Sequence, residues 1–191
     1  MKTGKVILAG ENDPARPQTM VLVDAADQQT GVCEKLETHR RGLRHRAFSV
    51  IIKNAAGHIL LQQRAAEKYH SPGLWANACC GHPGAGEDVR AAAQRRLTEE
   101  MGFVCDIYPV RQHSYCADVG GGLTENEFVH VFFGRFEGAV APNPAEAADY
   151  RWWTPDALLA DVAADPNRYS AWIRDYLHHF GNEIIAWAPD P

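Results

Sequence analysis

Short apolar runs bounded by turn residues recur along most of the chain, a pattern that is typical of β-strands. The segment Asn54–Gly57 has the composition of a hairpin turn between two of these runs. Another run, Glu127–Phe136, carries enough apolar residues to be buried on both faces. The predicted strands are Val6–Leu8, Met20–Val23, Ala47–Lys53, Ile59–Gln63, Phe103–Tyr108, Gln112–Asp118, Glu127–Phe136 and Tyr150–Trp153.

Three segments instead repeat their apolar residues at helical spacing. The clearest, Glu87–Met101, follows a glycine-rich loop and ends at Gly102. Nearer the C-terminus, Thr154 is a suitable N-cap for a helix over Ala157–Ala164, and Ser170–Phe180 predicts a second helix that stops at the following glycine. Strands and helices are interleaved without a repeat or a linker. We therefore predict an α/β fold, with helices packed on a mixed sheet in a single domain over residues 1–191.

The composition is that of an ordinary soluble protein. The 191 residues (21.1 kDa) are 46% hydrophobic and 23% charged, which excludes collagen-like, coiled-coil and wholly disordered chains. No apolar run approaches the roughly 18 residues of a membrane span, and a charge interrupts the N-terminal segment before a signal-type core forms. We therefore expect a cytoplasmic protein that does not bind a membrane. The five cysteines form no CxxC pair, so we expect reduced thiols.

The distribution of charge is uneven. The net charge is −5 with neutral histidines, but residues 1–100 carry +3 and residues 101–191 carry −8. Clustered cations suit an anionic small molecule, although solvated faces of unequal charge would give the same asymmetry. The basic run His39–Arg46 lacks interleaved aromatic residues, and the whole chain is acidic, so we expect no nucleic-acid partner.

Residues 81–103 carry a more specific pattern. They read GHPGAGEDVRAAAQRRLTEEMGF, in which a glycine-rich loop leads into a helix with two arginines and two glutamates in its last turns. Helical spacing places Arg96 with Glu100 on one face and Arg95 with Glu99 on the next, so that one pair can face a site while the other faces solvent. The simpler interpretation is a set of paired surface charges.

This segment resembles the Nudix box, GX5EX7REUXEEXGU, in which U is aliphatic. The resemblance implies a Nudix-type α/β/α sandwich whose helix carboxylates hold divalent cations. One position departs, because Arg96 stands where the box has glutamate. A permanent cation there should weaken metal-assisted hydrolysis and suits phosphate oxygens instead. The matching positions are Gly81, Glu87, Arg95, Leu97, Glu99, Glu100, Gly102 and Phe103.

The chain further resembles the type I isopentenyl-diphosphate isomerase family, which shares this departure and has a cysteine immediately before the Gly-His-Pro run. The resemblance implies an enzyme of isoprenoid biosynthesis that interconverts isopentenyl and dimethylallyl diphosphate by a 1,3-allylic proton shift. C-terminal helices at about 155–180 would close the site over this small-molecule substrate. A monomer and a homodimer both remain open. The matches are Glu34-Lys35 with His39, Arg44–Ser49, Arg64 with Lys68, Pro72–Asn77, Cys80–Pro83, Tyr115, Glu125–Glu127 and Trp172.

Two metal ions are implied by this resemblance. A Mn²⁺ or Zn²⁺ ion would be bound by three histidines and two glutamates, which are His39, His45, His82, Glu125 and Glu127. A Mg²⁺ ion would bind the substrate diphosphate, Glu100 and the backbone carbonyl of Cys80. The spacing of the two acids agrees, because residues two apart on a strand point to one side. A histidine alone is more often structural, and six others are interpreted so: His58, His70, His113, His130, His178 and His179.

For the reaction, the resemblance places Cys80 and Glu127 on opposite faces of the substrate as acid and base, in an order that is left open. A carboxyl group on a dication is a stronger acid, so Glu127 can be both ligand and proton donor, with the Tyr115 hydroxyl relaying or orienting the proton. The ring of Trp172 would face the carbocation, a contact worth about 2 kcal/mol when desolvated. In an amphipathic helix, a tryptophan otherwise belongs to the core. The diphosphate would be bound by Lys35, Arg64, Lys68 and Arg96.

Two other functions are compatible with the residues. A Nudix hydrolase acting on a nucleoside diphosphate derivative is permitted by the box and by Glu99, but Arg96 and Cys80 argue against it. In a non-catalytic binding module, the histidines and glutamates would only stabilise the fold around a metal. Such a closed site would need neither Cys80 nor Trp172. Product analysis separates the three, because hydrolysis releases phosphate or a monophosphate, isomerisation releases neither, and a binding module forms no product.

Overall fold

The computed structural model describes residues 19–188. Over these residues the chain forms nine β-strands, four α-helices and a 3₁₀ turn at Pro166–Arg168. The strands are β1 (Thr19–Val23), β2 (Gln29–Glu34), β3 (His45–Lys53), β4 (Ile59–Arg64), β5 (Trp75–Asn77), β6 (Cys79–Gly81), β7 (Ile107–Gly120), β8 (Leu123–Arg135) and β9 (Ala147–Trp153). The helices are α1 (Lys35–Arg40), α2 (Val89–Met101), α3 (Pro155–Ala164) and α4 (Ala171–Ala186).

Strand β3 is the centre of the sheet. It pairs in parallel with β8 over its whole length, which sets His45 opposite Glu127. On its other side it pairs with the short antiparallel strand β6, which sets Ser49 opposite Cys80. Strand β7 forms an antiparallel hairpin with β8 and sets Tyr115 opposite Glu127. A turn leads from β3 into β4, which lies between β5 and β9.

Helices pack on both faces of this sheet, which confirms the predicted layered α/β fold. Helix α4 covers one face, where Ile51, Val131 and Tyr176 share an apolar cluster. Helix α2 covers the other face, where Phe48 and Leu97 share a second cluster. Side chains alternate along a strand, so the odd-numbered residues of β3 face α4 and the even-numbered ones face α2.

Helix α2 ends where the sequence pattern predicts, but it begins at Val89, two residues after the predicted start. The Asp88 side chain caps its N-terminus by accepting a hydrogen bond from the backbone N–H of Ala91 (2.9 Å). Gly102 ends the helix with φ 75°, in the left-handed region. A Cβ atom at this glycine would collide with the backbone oxygen of Ala141, so no other residue fits without a shift of the chain.

The predicted strand Phe103–Tyr108 is wrong over most of its length. Its first residue stacks on Phe136, with ring centroids 3.8 Å apart, and packs this segment against the core as a loop. The strand begins only at Ile107 and runs without interruption to Gly120. Gln112–Asp118 is therefore the middle of a long strand and not a separate element.

The last helix is longer than predicted. Helix α4 does not stop at Gly181 but continues past a kink at Phe180 (φ −144°). Burial favours the continuation, because Phe180 and Ile184 both belong to the cluster beneath α4. The buried ammonium group of Lys53 also donates hydrogen bonds to three backbone oxygens at the end of this helix, where a cation is stabilising.

The apolar pattern does not predict β2 or α1. Strand β2 is largely exposed, and α1 has only six residues, so neither has a long apolar face. Helix α1 is instead fixed by its N-cap, since the Glu34 carboxylate accepts hydrogen bonds from two backbone N–H groups. The predicted strand Val6–Leu8 lies outside residues 19–188. None of the helices within that range is long and apolar enough to cross a membrane.

Candidate active site

Four elements bring polar side chains together on the α4 face of the sheet. Strand β8 points Glu125 and Glu127 to the same side, as their spacing predicts. The register of β3 places His45 beside Glu127. Helix α1, which packs on β8, contributes His39, and the segment after β6 contributes His82.

The three histidines and Glu125 form a compact cluster, with potential ligand atoms that all lie within 4.8 Å of one another. The Nε2 atoms of His39 and His45 lie 3.2 and 3.4 Å from Glu125 Oε2. The Nε2 atom of His82 lies 3.0 Å from Glu127 Oε1, and that of His45 lies 3.8 Å from the same oxygen. The structure therefore brings together the five residues of the predicted Mn²⁺ or Zn²⁺ site.

Backbone contacts determine which ring nitrogens face the carboxylates. Nδ1 of His39 lies 2.6 Å from the backbone oxygen of Lys35, and Nδ1 of His45 lies 2.8 Å from that of Leu43. A carbonyl oxygen only accepts, so each neutral ring carries its proton on Nδ1 and presents the Nε2 lone pair to the cluster. Metal-binding histidines are commonly held in this way.

Two buried atoms of the cluster, His45 Nε2 and Glu125 Oε2, have no hydrogen-bond partner. They face each other across 3.4 Å. Buried polar atoms are rarely left without a partner, so this pair indicates a place for a ligand. Imidazole nitrogens combined with carboxylate oxygens fit a borderline divalent cation such as Zn²⁺ or Mn²⁺.

The cluster also has the charge that a cation requires. Burial would raise the pKa of both carboxyl groups, but His39 and His45 hold the pKa of Glu125 well below its usual range, and His45 and His82 lower the pKa of Glu127. Burial also lowers the pKa of His45, yet the nearby carboxylates of Glu125 and Glu127 outweigh it and raise that pKa to about 10. The glutamates are therefore ionised at neutral pH. A bound dication would displace the proton from His45.

Cys80 lies on the same face of the sheet and has defined partners. Its Sγ atom lies 3.1 Å from both Ser49 Oγ and Asn77 Oδ1. Ser49 Oγ lies a further 2.8 Å from the hydroxyl of Tyr176 on α4. Burial raises the pKa of the Cys80 thiol to about 12, so the thiol is protonated near neutral pH. Cys79 points into the opposite core, as predicted for an extended segment.

A cleft that opens to solvent connects the cluster with Cys80. On its wall, Tyr115 lies opposite Glu127 in the β7–β8 hairpin, and burial together with this carboxylate raises the pKa of the Tyr115 hydroxyl. Trp172 is 3% exposed, and its indole N–H has no hydrogen-bond partner. The guanidinium carbon of Arg64 lies 5.2 Å from the centroid of the Trp172 ring, which therefore already faces one cation. The lining residues are Lys35, Arg64, Lys68, Tyr69, His70, Cys80, Gly81, His82, Tyr115, Glu125, Glu127 and Trp172.

Arg96 is not on the wall of this cleft, contrary to the predicted direct contact with diphosphate. It is 2% exposed and pairs with Glu99 (2.7 Å), Glu100 (2.8 Å) and Glu146 (3.1 Å). Glu146 also pairs with the ammonium group of Lys68, which does line the cleft. Three carboxylates therefore balance the charge of Arg96, and its link to the cleft runs through Glu146 and Lys68.

The box glutamates on and before α2 also have protein partners. Glu100 is buried outside the cleft lining, and its Oε2 accepts a hydrogen bond from Gln62 (2.8 Å) while its Oε1 pairs with Arg96. Glu87 accepts hydrogen bonds from the backbone N–H of Gly84 (2.8 Å) and from Arg95 Nε (3.0 Å). Glu87 therefore holds the glycine-rich loop against the helix. An ionised carboxylate has about four acceptor sites, so these contacts leave Glu100 able to offer an oxygen ligand to Mg²⁺.

Two residues of this region are missed by the sequence pattern. His70, interpreted as structural, lines the cleft and places its Nε2 3.2 Å from Glu125 Oε1. Its position between two matched runs, at Lys68 and Pro72, was an available signal. Glu146 is an isolated acid before β9, and its pairing with Lys68 depends on contacts 78 residues apart, so no local pattern indicates it.

Comparison with known proteins agrees with this architecture. A sequence model of the NUDIX domain matches residues 43–173. Two solved structures have the same fold: a protein from Deinococcus radiodurans (TM-score 0.63, 20% identity, 78% of this chain and 90% of that chain) and a MutT protein from Methanosarcina mazei (TM-score 0.59, 19% identity, 73% and 94%). The chain is thus a NUDIX-domain protein.

Curated relatives define the family more narrowly. The isopentenyl-diphosphate Delta-isomerase of Burkholderia multivorans is 45% identical over 172 residues, which cover 90% of this chain and 98% of the relative. The enzyme of the same name from Serratia proteamaculans is 44% identical over 172 residues, covering 90% and 96%. The chain belongs to the isopentenyl-diphosphate Delta-isomerase family.

Proposed function

We propose that this protein is an isopentenyl-diphosphate Delta-isomerase that interconverts isopentenyl and dimethylallyl diphosphate. The observation that carries the proposal is the presence of a thiol and a carboxylate, Cys80 and Glu127, on the wall of one cleft. A 1,3-proton shift requires an acid and a base that reach the same substrate. Family membership at 45% identity over 90% of the chain supports the same activity.

The reaction adds a proton to the terminal alkene carbon and removes one from the carbon next to the diphosphate-bearing methylene. A carboxylate oxygen of Glu127 and the Sγ atom of Cys80 carry these two protons. Tyr115 lies opposite Glu127 in the hairpin, where its hydroxyl can orient the carboxylate, and His82 Nε2 lies 3.0 Å from Glu127 Oε1. Ser49 and Asn77 hold Sγ from two sides at 3.1 Å. Both proton-carrying atoms are thus oriented before the substrate enters.

Two divalent cations complete the proposed site. A Mn²⁺ or Zn²⁺ ion would be bound by His39, His45, His82, Glu125 and Glu127. A Mg²⁺ ion would be bound by Glu100, the backbone carbonyl of Cys80 and the diphosphate. When bound, the cations strengthen the acidity of a coordinated carboxyl group and neutralise phosphate charge.

The cations of the chain itself suit a diphosphate. Lys35, Arg64 and Lys68 all line the cleft, where they provide charge-assisted hydrogen bonds to phosphate oxygens. Arg96 acts on the diphosphate only indirectly, because Glu146 pairs both with Arg96 and with the ammonium group of Lys68. Entry of a diphosphate would let Lys68 exchange a carboxylate partner for a phosphate partner.

Trp172 and α4 provide the apolar side of the site. The indole is buried at the start of α4 and lines the cleft, where its ring can face a tertiary carbocation at a gain of about 2 kcal/mol. Exclusion of water by this helix protects such an intermediate from capture.

The box carboxylates do not favour diphosphate hydrolysis. Arg96 stands where the box has glutamate, so the chain has one carboxylate fewer than the box to hold a cation, and its guanidinium group pairs with Glu99 and Glu100. A Nudix hydrolase needs such carboxylates to hold the cations that activate water.

The test is incubation of purified protein with isopentenyl diphosphate, Mg²⁺ and Mn²⁺. Proton NMR follows the dimethylallyl product, and phosphorus NMR follows any released phosphate. We expect allylic product without phosphate release, and loss of turnover in a sample treated with a chelator. Release of phosphate, or no product from folded protein with both metals, would contradict the proposal.

A further inference from the structure

His70 lies at the metal cluster but has no part in the proton transfers. It is 8% exposed and lies in the loop between β4 and β5. Its Nε2 atom lies 3.2 Å from Glu125 Oε1, whereas His39 and His45 approach the other oxygen, Oε2. The two oxygens of Glu125 therefore serve two different sets of partners.

The second ring nitrogen of His70 distinguishes it from the metal-ligand histidines. Its Nδ1 atom lies 3.3 Å from the hydroxyl oxygen of Ser71, and a hydroxyl can donate. When Ser71 donates, the ring proton lies on Nε2 and is donated to Glu125. His39 and His45 have the opposite arrangement, because their Nδ1 atoms contact carbonyl oxygens. His70 thus offers the cluster a proton donor, where the other two rings offer lone pairs.

The surrounding loop holds the ring in this direction. Arg64 donates hydrogen bonds to the backbone oxygens of His70 (3.0 Å) and Ser71 (3.2 Å). Ser71 has φ 49°, a left-handed conformation that non-glycine residues seldom adopt. The imidazole packs edge-on against Tyr69 and Trp172, with centroids 4.5 and 5.9 Å away. The orientation of His70 is therefore determined by both backbone and side-chain contacts.

We infer that His70 is a positioning residue for the metal site, an Nε2–H donor that binds Glu125 Oε1 and turns Oε2 toward the cation. The role rests on the proposed function only in requiring a divalent cation among His39, His45 and Glu125. Hydrogen bonds to ligating carboxylates restrict their rotation, and their loss typically weakens metal binding by about 10–100-fold.

Two substitutions distinguish the contribution of the hydrogen-bond donor of His70 from that of its ring. His70→Phe keeps a ring against Tyr69 and Trp172 but removes both nitrogens. His70→Gln loses the ring but keeps an N–H donor at similar reach. His178→Phe on the exposed side of α4 is the matched control. Each protein is stripped of metal with a chelator and titrated with Mn²⁺ in the absence of substrate, and the EPR signal of free Mn²⁺ gives Kd.

We expect His70→Phe to raise the Kd for Mn²⁺ by about 10–100-fold, His70→Gln to recover most of the affinity, and His178→Phe to match the unmodified protein. Unchanged affinity in His70→Phe would overturn the inference. If His70→Gln binds as weakly as His70→Phe, His70 is a direct ligand or a packing residue and not a donor. If circular dichroism shows that His70→Phe does not fold, the Kd of His70→Gln is compared with that of the unmodified protein. A similar Kd supports a donor at this position, and a Kd raised by about 10–100-fold contradicts it. Since no substrate is present, failure of the isomerase assay leaves this result unaffected.

Discussion

Charge reversal at two adjacent arginines of α2 should have very different consequences for stability. Arg95 is at the surface, with a side chain that is 40% exposed, and pairs with Glu87 and Glu99. Arg96 has a side chain that is only 3% exposed and pairs with three carboxylates. The substitutions Arg95→Glu and Arg96→Glu make the same chemical change on the same helix, so burial and partners account for the difference.

The expected magnitudes follow from these environments. Removal of one partner from a buried ion pair costs about 3–5 kcal/mol, because it leaves an uncompensated charge. In Arg96→Glu, the new carboxylate would also face Glu99, Glu100 and Glu146 at close range. For a chain of this length, 1 kcal/mol shifts Tm by about 2–4 °C, so we expect a fall of about 6–20 °C. Exposed pairs contribute about 0.2–1 kcal/mol each, so the loss of two such pairs in Arg95→Glu should lower Tm by less than about 8 °C, and by less than in Arg96→Glu.

Thermal unfolding of both variants by circular dichroism at pH 7 is the assay, with Arg96→Gln as a third variant that removes the cation without adding a charge. Arg96→Gln should fall between the other two. If Arg96→Glu unfolds at the same temperature as Arg95→Glu, the buried ion pairs of Arg96 do not stabilise the protein. A change in KM caused by Arg96→Glu would then be evidence for direct contact with diphosphate.

Three further outcomes are expected around the thiols. Cys80→Ala should abolish isomerisation in the NMR assay without lowering Tm, whereas Cys79→Ala, in the opposite core, should retain turnover. Equal activities of the two variants would show that Cys80 has no part in the mechanism. Ser49→Ala should lower kcat and leave KM unchanged in steady-state kinetics, because it frees Sγ without touching the diphosphate cations; a change in KM alone would contradict this. In metal-free protein, burial raises the pKa of Cys80 to about 12, so only about one thiol in ten thousand is ionised at pH 8. Iodoacetamide should therefore label the exposed Cys116 first, and labelling of Cys80 should rise as pH increases. Peptide mass spectrometry gives the order of labelling, and equal rates at pH 8 would show that the Cys80 thiol is not buried.

The sequence correctly predicted those elements that carry a local signal, such as a helix-ending glycine or a dense apolar run. Gly102 ends α2 as predicted, and the dense apolar run of β8 is buried on both faces, so sequence and structure agree there. The exposed strand β2 and the six-residue helix α1 have no apolar face, and only Glu34 as N-cap indicates α1. The continuation of α4 past Phe180 depends on Lys53, which lies more than 100 residues earlier and is invisible to a local pattern.

The same distinction holds for the site. Strand alternation predicts that Glu125 and Glu127 share a side, and the extended segment predicts that Cys79 and Cys80 face opposite ways. Only the resemblance to a family predicted that the histidines lie together in one metal site. Balance of charge around Arg96 could not be predicted, because helical spacing shows that Arg96 and Glu100 share a face but not that a third carboxylate arrives from a distant loop.

If Cys80 and Glu127 move protons on and off one substrate, hydrogen from the solvent must appear in the product. Metal-loaded protein is incubated with isopentenyl diphosphate in deuterated water, beside Cys80→Ala and Cys79→Ala, and deuterium in the product is followed by NMR. We expect dimethylallyl diphosphate that carries deuterium in a methyl group from the unmodified protein and from Cys79→Ala, and none from Cys80→Ala. Deuterated product from Cys80→Ala at the rate of the unmodified protein would contradict this expectation.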